Sequence, residues 1–126
     1  MRIQALDHLV LTVRDISTTC AFYSRVLGLE VLTFGDDRKS LKFGNQKINL
    51  HQSGAEFQPC AGRPTAGSAD LCFIAETPIE TLVERLGQCN VSIEEGPVQR
   101  TGARGPIISV YIRDPDDNLI ELSNYL

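Results

Sequence analysis

One pattern runs through this chain twice, and it limits the folds open to it: a strand, a helix and three more strands, then the same series again. Leu6 to Val13 alternates, with Leu9, Leu11 and Val13 on one face and His8, Val10 and Thr12 on the other, which predicts a strand. Asp15 is placed to cap a helix carrying Ile16, Cys20, Tyr23 and Leu27 at helical spacing, and Gly28 stops it. Short strands follow at Glu30–Phe34, Ser40–Phe43 and Lys47–His51, parted by turns at Gly35-Asp36-Asp37 and Gly44-Asn45. Gln52 to Ser68 is rich in Gly, Pro, Ala and Ser without a period and reads as a linker. Ala69–Ala75 then opens the second round. Thr77-Pro78-Ile79-Glu80 has capping-box spacing with Pro at the first helical position, and Ile79, Leu82, Val83 and Leu86 form the expected buried stripe. Strands at Val91–Glu94, Ile107–Arg113 and Leu119–Ser123 complete it, with Glu95–Gly105 as a loop. The expectation is an α+β domain over residues 1–126: two βαβββ modules at about 5–52 and 68–126, joined by a linker at 53–67.

Side-chain identity between the halves is poor, yet their register is informative. An offset of 62 carries His8 to Asp70, Asp15 to Thr77 and Val31 to Ile93; past the longer second-half loop, an offset of 72 carries Asn49 to Glu121. Four matched strand positions emerge: His8 and Asp70 in the first strands of the two halves, Asn49 and Glu121 in the last. Three of them carry metal-ligand chemistry. His51 lies on the face of Asn49, roughly 7 Å further along its strand, as a spare ligand or a near neighbour.

Glu121 is the most informative of the set. Arg113-Asp114-Pro115-Asp116-Asp117-Asn118 makes a tight turn, because Pro presets φ while Asp and Asn bond their own backbone. Alternation then resumes, so Ile120 and Leu122 share one face and Leu119, Glu121 and Ser123 the other. A carboxylate in mid-strand either lies on a solvated face or has a partner such as a metal.

Composition excludes several classes. A net charge of −4, with no basic cluster longer than a pair, argues against nucleic acid or an anionic membrane as partner and leaves small-molecule ligands. No apolar run approaches the ~20 residues that span a bilayer, and the first residues do not read as a signal peptide, so a cytoplasmic location is expected. Cys20, Cys60, Cys72 and Cys89 are widely spaced, with no Cys-x-x-Cys pair, and are expected reduced. Cys20 and Cys72 fall in apolar patterns as small core residues, and Cys60, in a loop, is the one expected to react.

Leu6-Asp7-His8-Leu9-Val10-Leu11-Thr12-Val13, then Phe22-Tyr23-Ser24-Arg25-Val26-Leu27-Gly28-Leu29-Glu30, then Arg113-Asp114-Pro115-Asp116-Asp117-Asn118-Leu119-Ile120-Glu121 resemble the vicinal oxygen chelate superfamily, which includes glyoxalase I, fosfomycin and bleomycin resistance proteins and extradiol dioxygenases. The resemblance covers essentially the whole chain. Asp37-Arg38-Lys39, Phe43-Gly44-Asn45-Gln46-Lys47, Ile93-Glu94-Glu95-Gly96-Pro97-Val98 and Arg100-Thr101-Gly102-Ala103-Arg104-Gly105-Pro106 bring it nearest the glyoxalase domain-containing protein 5 group. It implies a cup of two four-stranded sheets around a divalent metal ion such as Zn, Ni, Mn or Fe, with ligands from the first and last strands of the modules. His8 matches the usual His and Glu121 the usual Glu. Asp70 stands where a second His is typical, and Asn49 where glyoxalase I has a Glu. Members of the family usually pair, so a homodimer is expected.

The metal set would then be His8, Asp70 and Glu121, with His51 as a further ligand. One imidazole and two carboxylates suit a hard or borderline ion and leave positions for water or two substrate oxygens. In a lyase or isomerase of glyoxalase I type, acting on a small 2-oxo or dicarbonyl-derived substrate, Glu121 would be both ligand and proton carrier. Asn49, Tyr111, Arg100 and Arg104 are the expected substrate contacts. The two arginines lie in what reads as a flexible basic loop, able to clamp a carboxylate, and Tyr23 is a further aromatic candidate. Two other readings accompany this one: an extradiol-type dioxygenase, and a metal-free protein that binds or sequesters a small molecule.

Overall fold

The computed structural model describes residues Met1–Leu126, with elements in the order β1 (His8–Val13), α1 (Ile16–Leu27), β2 (Glu30–Phe34), β3 (Arg38–Phe43), β4 (Gln46–Gln52), β5 (Asp70–Ile74), α2 (Ile79–Gln88), β6 (Glu95–Gly102), β7 (Gly105–Arg113) and β8 (Leu119–Tyr125). These fall into two compact units, Met1–Ala66 and Gly67–Leu126. Each is a βαβββ module with one four-stranded mixed sheet, ordered β1-β4-β3-β2 in the first and β5-β8-β7-β6 in the second. The first and last strands of each module are parallel neighbours and the remaining pairs antiparallel. No helix is long and apolar enough to cross a membrane.

Alternation decides which face of each sheet is buried against its helix. In module one Leu11, Val13, Leu41, Ile48 and Leu50 are each at most 5% exposed, and α1 packs on β2, β3 and β4. In module two Val110, Ile112, Ile120 and Leu122 do the same beneath Ile79 and Leu86 of α2, which packs on β7. Each such side chain taken from water contributes about 1.5–3 kcal/mol. The opposite face of each sheet carries the polar residues.

Strand register bears out the internal repeat. His8 lies opposite Lys47 and Val10 opposite Asn49 in module one, while Asp70 lies opposite Leu119 and Cys72 opposite Glu121 in module two. His8 and Asp70 thus occupy equivalent places, as do Asn49 and Glu121.

The helices follow their caps unequally. Asp15 accepts hydrogen bonds from the Thr18 backbone N–H at 2.9 Å and its hydroxyl at 2.5 Å, and Gly28 closes α1 at φ +70. The buried residues of α1 are Thr19, Tyr23 and Val26; of the expected Ile16, Cys20, Tyr23 and Leu27, Tyr23 is buried and the other three are half-buried at the edges of the stripe. The expected capping box on α2 is absent: Pro78 occupies the cap position and no side chain caps the helix. Ile79 and Leu86 anchor it instead.

Two further expectations are overturned. The strand falls at Glu95–Gly102 rather than Val91–Glu94, so the supposed loop of Arg100 and Arg104 is a β-hairpin, with Gly102 opposite Gly105 across a tight turn. Gly96, Pro97 and Gly102 mimic a loop in sequence; in the sheet a bulge between Glu95 and Val98 absorbs the first two. At Gly96, φ is +107 and a Cβ would run into the Ser109 carbonyl, so only glycine lets the strands approach. Cys72 is exposed and Cys20 half-buried, so neither is a core residue. Cys72 alternates onto the face away from α2, where Glu121 lies beside it.

Candidate active site

Module two holds the better-formed site. Its last strand is anchored by the Asp114–Asn118 turn. There Asp114 accepts hydrogen bonds from the Asp116 and Asn118 backbone N–H groups at 2.9 and 3.0 Å and from the Asn118 side-chain amide at 2.8 Å. Asn118 Oδ1 in turn accepts from the Ala69 N–H at 2.9 Å, tying the start of β8 to the start of β5. This small network sets the register that places Cys72, Glu121 and Tyr111 in one row across β5, β8 and β7.

Glu121 is held by one oxygen. Its Oε2 accepts from Ser109 Oγ at 2.5 Å and from Ser123 Oγ at 3.4 Å, and the two serines, both 0% exposed, lie 2.7 Å apart. Cys72 Sγ joins the chain at 3.4 Å from Ser123 Oγ. Partial burial of its sulfur pushes the Cys72 thiol up, and the nearby Glu121 and Asp70 carboxylates add to the effect, so the group stays a thiol rather than a nucleophilic thiolate. Beyond Glu121 lies a cavity of 400 Å³ lined by Cys72, Arg100, Tyr111, Glu121 and Tyr125 among others.

The hairpin arginines differ in their roles. Arg100 donates through Nε to the Tyr111 hydroxyl at 3.1 Å, both residues lining the cavity, and through Nη2 to Glu95 at 3.3 Å. Arg104 lies over the Tyr125 ring, 4.4 Å from its centroid, and its backbone N–H donates to the Tyr125 hydroxyl at 3.1 Å. Arg104 therefore backs a wall residue and does not line the cavity itself. Tyr23, 0% exposed, is a core residue.

Module one carries His8, Asn49 and His51 on its face away from α1. His8 donates Nδ1–H to the Asp7 carboxylate at 2.8 Å, which orients the ring and turns Nε2 outward from that contact. Asn49 is 7% exposed and its Oδ1 has no hydrogen-bond donor. His51, 2% exposed, accepts from Arg38 Nη2 through Nε2 at 3.3 Å and packs edge-on to Phe57. That lone pair is committed to Arg38.

His8, Asp70 and Glu121 are donor types that suit a divalent ion, but no three His, Cys, Asp or Glu side chains in the chain are grouped to hold one. His8 presents an oriented imidazole nitrogen; Asp70 is exposed, and the serines engage Glu121 through Oε2. Asp70 and Glu121 share a face on adjacent strands, one diagonal step apart. Sequence reasoning missed Ser109, Ser123 and Tyr125. Period-two alternation from Glu121 and Tyr111 puts all three on the same face, two or four residues away, but only cross-strand register brings out their contacts.

The family model for the glyoxalase/bleomycin resistance protein/dioxygenase superfamily matches residues 5–122. Virulence protein STM3117 of Salmonella typhimurium is 62% identical over 126 residues, covering 100% of this chain and 88% of that protein. Its crystal structure matches with a TM-score of 0.99, covering 100% of both chains. Glyoxalase domain-containing protein RDO1 of Mycosarcoma maydis is 53% identical over 125 residues, covering 99% of this chain and 70% of that one. The crystal structure of lactoylglutathione lyase from Agrobacterium tumefaciens is 25% identical with a TM-score of 0.75, covering 98% and 95% of the two chains.

Proposed function

The chain belongs to the glyoxalase/bleomycin resistance protein/dioxygenase superfamily, and from that premise we propose that it is a metal-dependent lyase or isomerase of lactoylglutathione lyase type, acting on a small 2-oxo or dicarbonyl-derived substrate. The observation that carries the reading is the state of Glu121. A mid-strand carboxylate fixed through Oε2 by two buried serines, with a 400 Å³ cavity beside it, is built to act on a ligand rather than to stabilise the strand.

His8, Asp70 and Glu121 would hold a divalent ion, which when bound supplies Lewis-acid polarisation of substrate oxygens. Glu121 Oε1 takes the proton from the carbon beside the carbonyl and returns it to the neighbouring carbon. Ser109 and Ser123 limit the swing of the carboxylate during that transfer, so orientation is retained. Tyr111, oriented by Arg100, meets the substrate's polar end, and Tyr125 walls its apolar side. The name of the Agrobacterium relative supports the same reaction class. A small molecule is the partner in this reading, the cytoplasm its location, and a homodimer the working form.

Glu121→Gln keeps the shape and the serine contacts but removes the base, and is expected to lower turnover of hemithioacetals of small dicarbonyls by about 10²–10⁴-fold. Metal analysis by mass spectrometry should show a bound divalent ion that His8→Ala and Glu121→Gln each release. Full metal-independent ligand binding, with no ion retained after reconstitution with Mn, Fe, Ni or Zn, would replace the lyase reading with that of a binding protein.

A further inference from the structure

The sheet of module one carries polar groups that the proposed reaction leaves unused. Arg38 on β3 and Lys47 and His51 on β4 share the face turned away from α1, beside Phe34 at the end of β2 and Phe57 just after β4. The Arg38 guanidinium carbon lies 5.0 Å from the Phe34 ring centroid and 4.4 Å from that of Phe57. Lys47 Nζ lies 4.1 Å from the same Phe34 centroid. Two cations from different strands thus converge on one ring.

Neither cation has a counter-ion: no ion pair in the chain involves Arg38 or Lys47. Scarcity of acid is not the reason, since the chain has 16 Asp and Glu against 12 Lys and Arg. Glu56, the carboxylate whose charge reaches His51, is engaged by the Gly54 N–H at 2.9 Å.

The hydrogen bonds tell the same story. Arginine can only donate, so the 3.3 Å contact from Arg38 Nη2 makes His51 Nε2 the acceptor and leaves the ring proton of a neutral imidazole on Nδ1. That Nδ1–H is buried and has no acceptor, and the buried Arg38 Nε–H has none either. A buried donor without an acceptor is costly, and one oxygen-bearing anion would relieve such groups and the like-charge repulsion together. The rings of Phe34 and Phe57 cover the guanidinium, which leaves its edge, where its N–H groups lie in one plane, to meet oxygens.

We propose that Arg38, Lys47 and His51 form a binding site for a small oxyanion, the carboxylate or phosphate group of an organic ligand, with Phe34 and Phe57 as its walls. The site lies within module one and stands independently of the chemistry at Glu121.

The test is an NMR titration of the intact ¹⁵N-labelled protein with sodium acetate and, separately, inorganic phosphate, at ionic strength held constant with sodium chloride. The readouts are the Arg38 Nε–H and His51 Nδ1–H signals. Saturation in the millimolar range is expected with at least one anion; acetate alone assigns a carboxylate, phosphate alone a phosphate, and both an oxyanion site without selection. Arg38→Met and Lys47→Met should each weaken binding by about tenfold or more, while Lys39→Met, on the opposite face, leaves it unchanged. Arg38→Lys keeps the charge but loses the planar fork, and provides a second variant should Arg38→Met fail to fold. Non-saturating shifts with both anions, or undiminished affinity in the Arg38 and Lys47 variants, would overturn the proposal.

Discussion

At the scale of single residues, the chemistry of this chain depends on how few atoms hold each functional group. Ser109 donates to Glu121 and contacts Ser123, all within a sheet face where the serines see no solvent. Ser109→Ala removes both links and leaves buried oxygens short of a partner, so a loss of about 1–3 kcal/mol in chemical denaturation is expected. His51 is a different case. Burial first, and the Arg38 charge second, hold its pKa below the ordinary 6.5. The folded state therefore keeps His51 neutral where the unfolded chain would protonate it. The unfolded state then binds more protons, so stability falls as pH drops through 6.5 toward the lowered folded value. Urea midpoints measured across that window should decline in the wild type and decline less in His51→Gln. The strand positions of Glu121 and His8 were legible from sequence because alternation and the duplicated register name them. The serine clamp was not, because Ser in a strand carries no signal until its cross-strand neighbour is known.

At the scale of elements, the two helices separate what a cap signal promises from what it delivers. Asp15 caps α1 through two hydrogen bonds from Thr18, which hold its carboxyl below the ordinary range. A depressed carboxylate contributes stability above its unfolded pKa and loses it as pH falls through the folded one. Asp15→Ala should lower the thermal midpoint at neutral pH, with the difference from wild type shrinking in acid. Thr77 stands at the matched position before α2 but makes no cap bond, so Thr77→Ala should change stability by less than about 0.5 kcal/mol. The β6–β7 hairpin carries the converse lesson. Its Gly96-Pro97 and Gly102 read as punctuation, yet pairing with β7 makes a strand of them, because ladder hydrogen bonds and the bulge override local preference.

At the scale of the whole molecule, the duplication is the organising fact. Two modules of one topology each bury one sheet face beneath one helix and leave the other face to polar chemistry. Exposed apolar residues remain on those polar faces, Val10 at 45% and Ile74 at 49% among them. A homodimer is the expected working form, and sedimentation velocity should show a species of twice the chain mass of 13.9 kDa; a monomer at all accessible concentrations would sink it. Periodicity and spacing, local properties that survive divergence of side chains, gave the element order and the equivalence of His8 with Asp70 and of Asn49 with Glu121, while the superfamily came from the resemblance of three motifs. Only tertiary structure decided that Ser109 and Ser123 grip Glu121, that Arg38 claims His51 and that Cys72 leaves the core. Those relations join residues distant in the chain, and strand register, not sequence spacing, brings them within hydrogen-bonding reach.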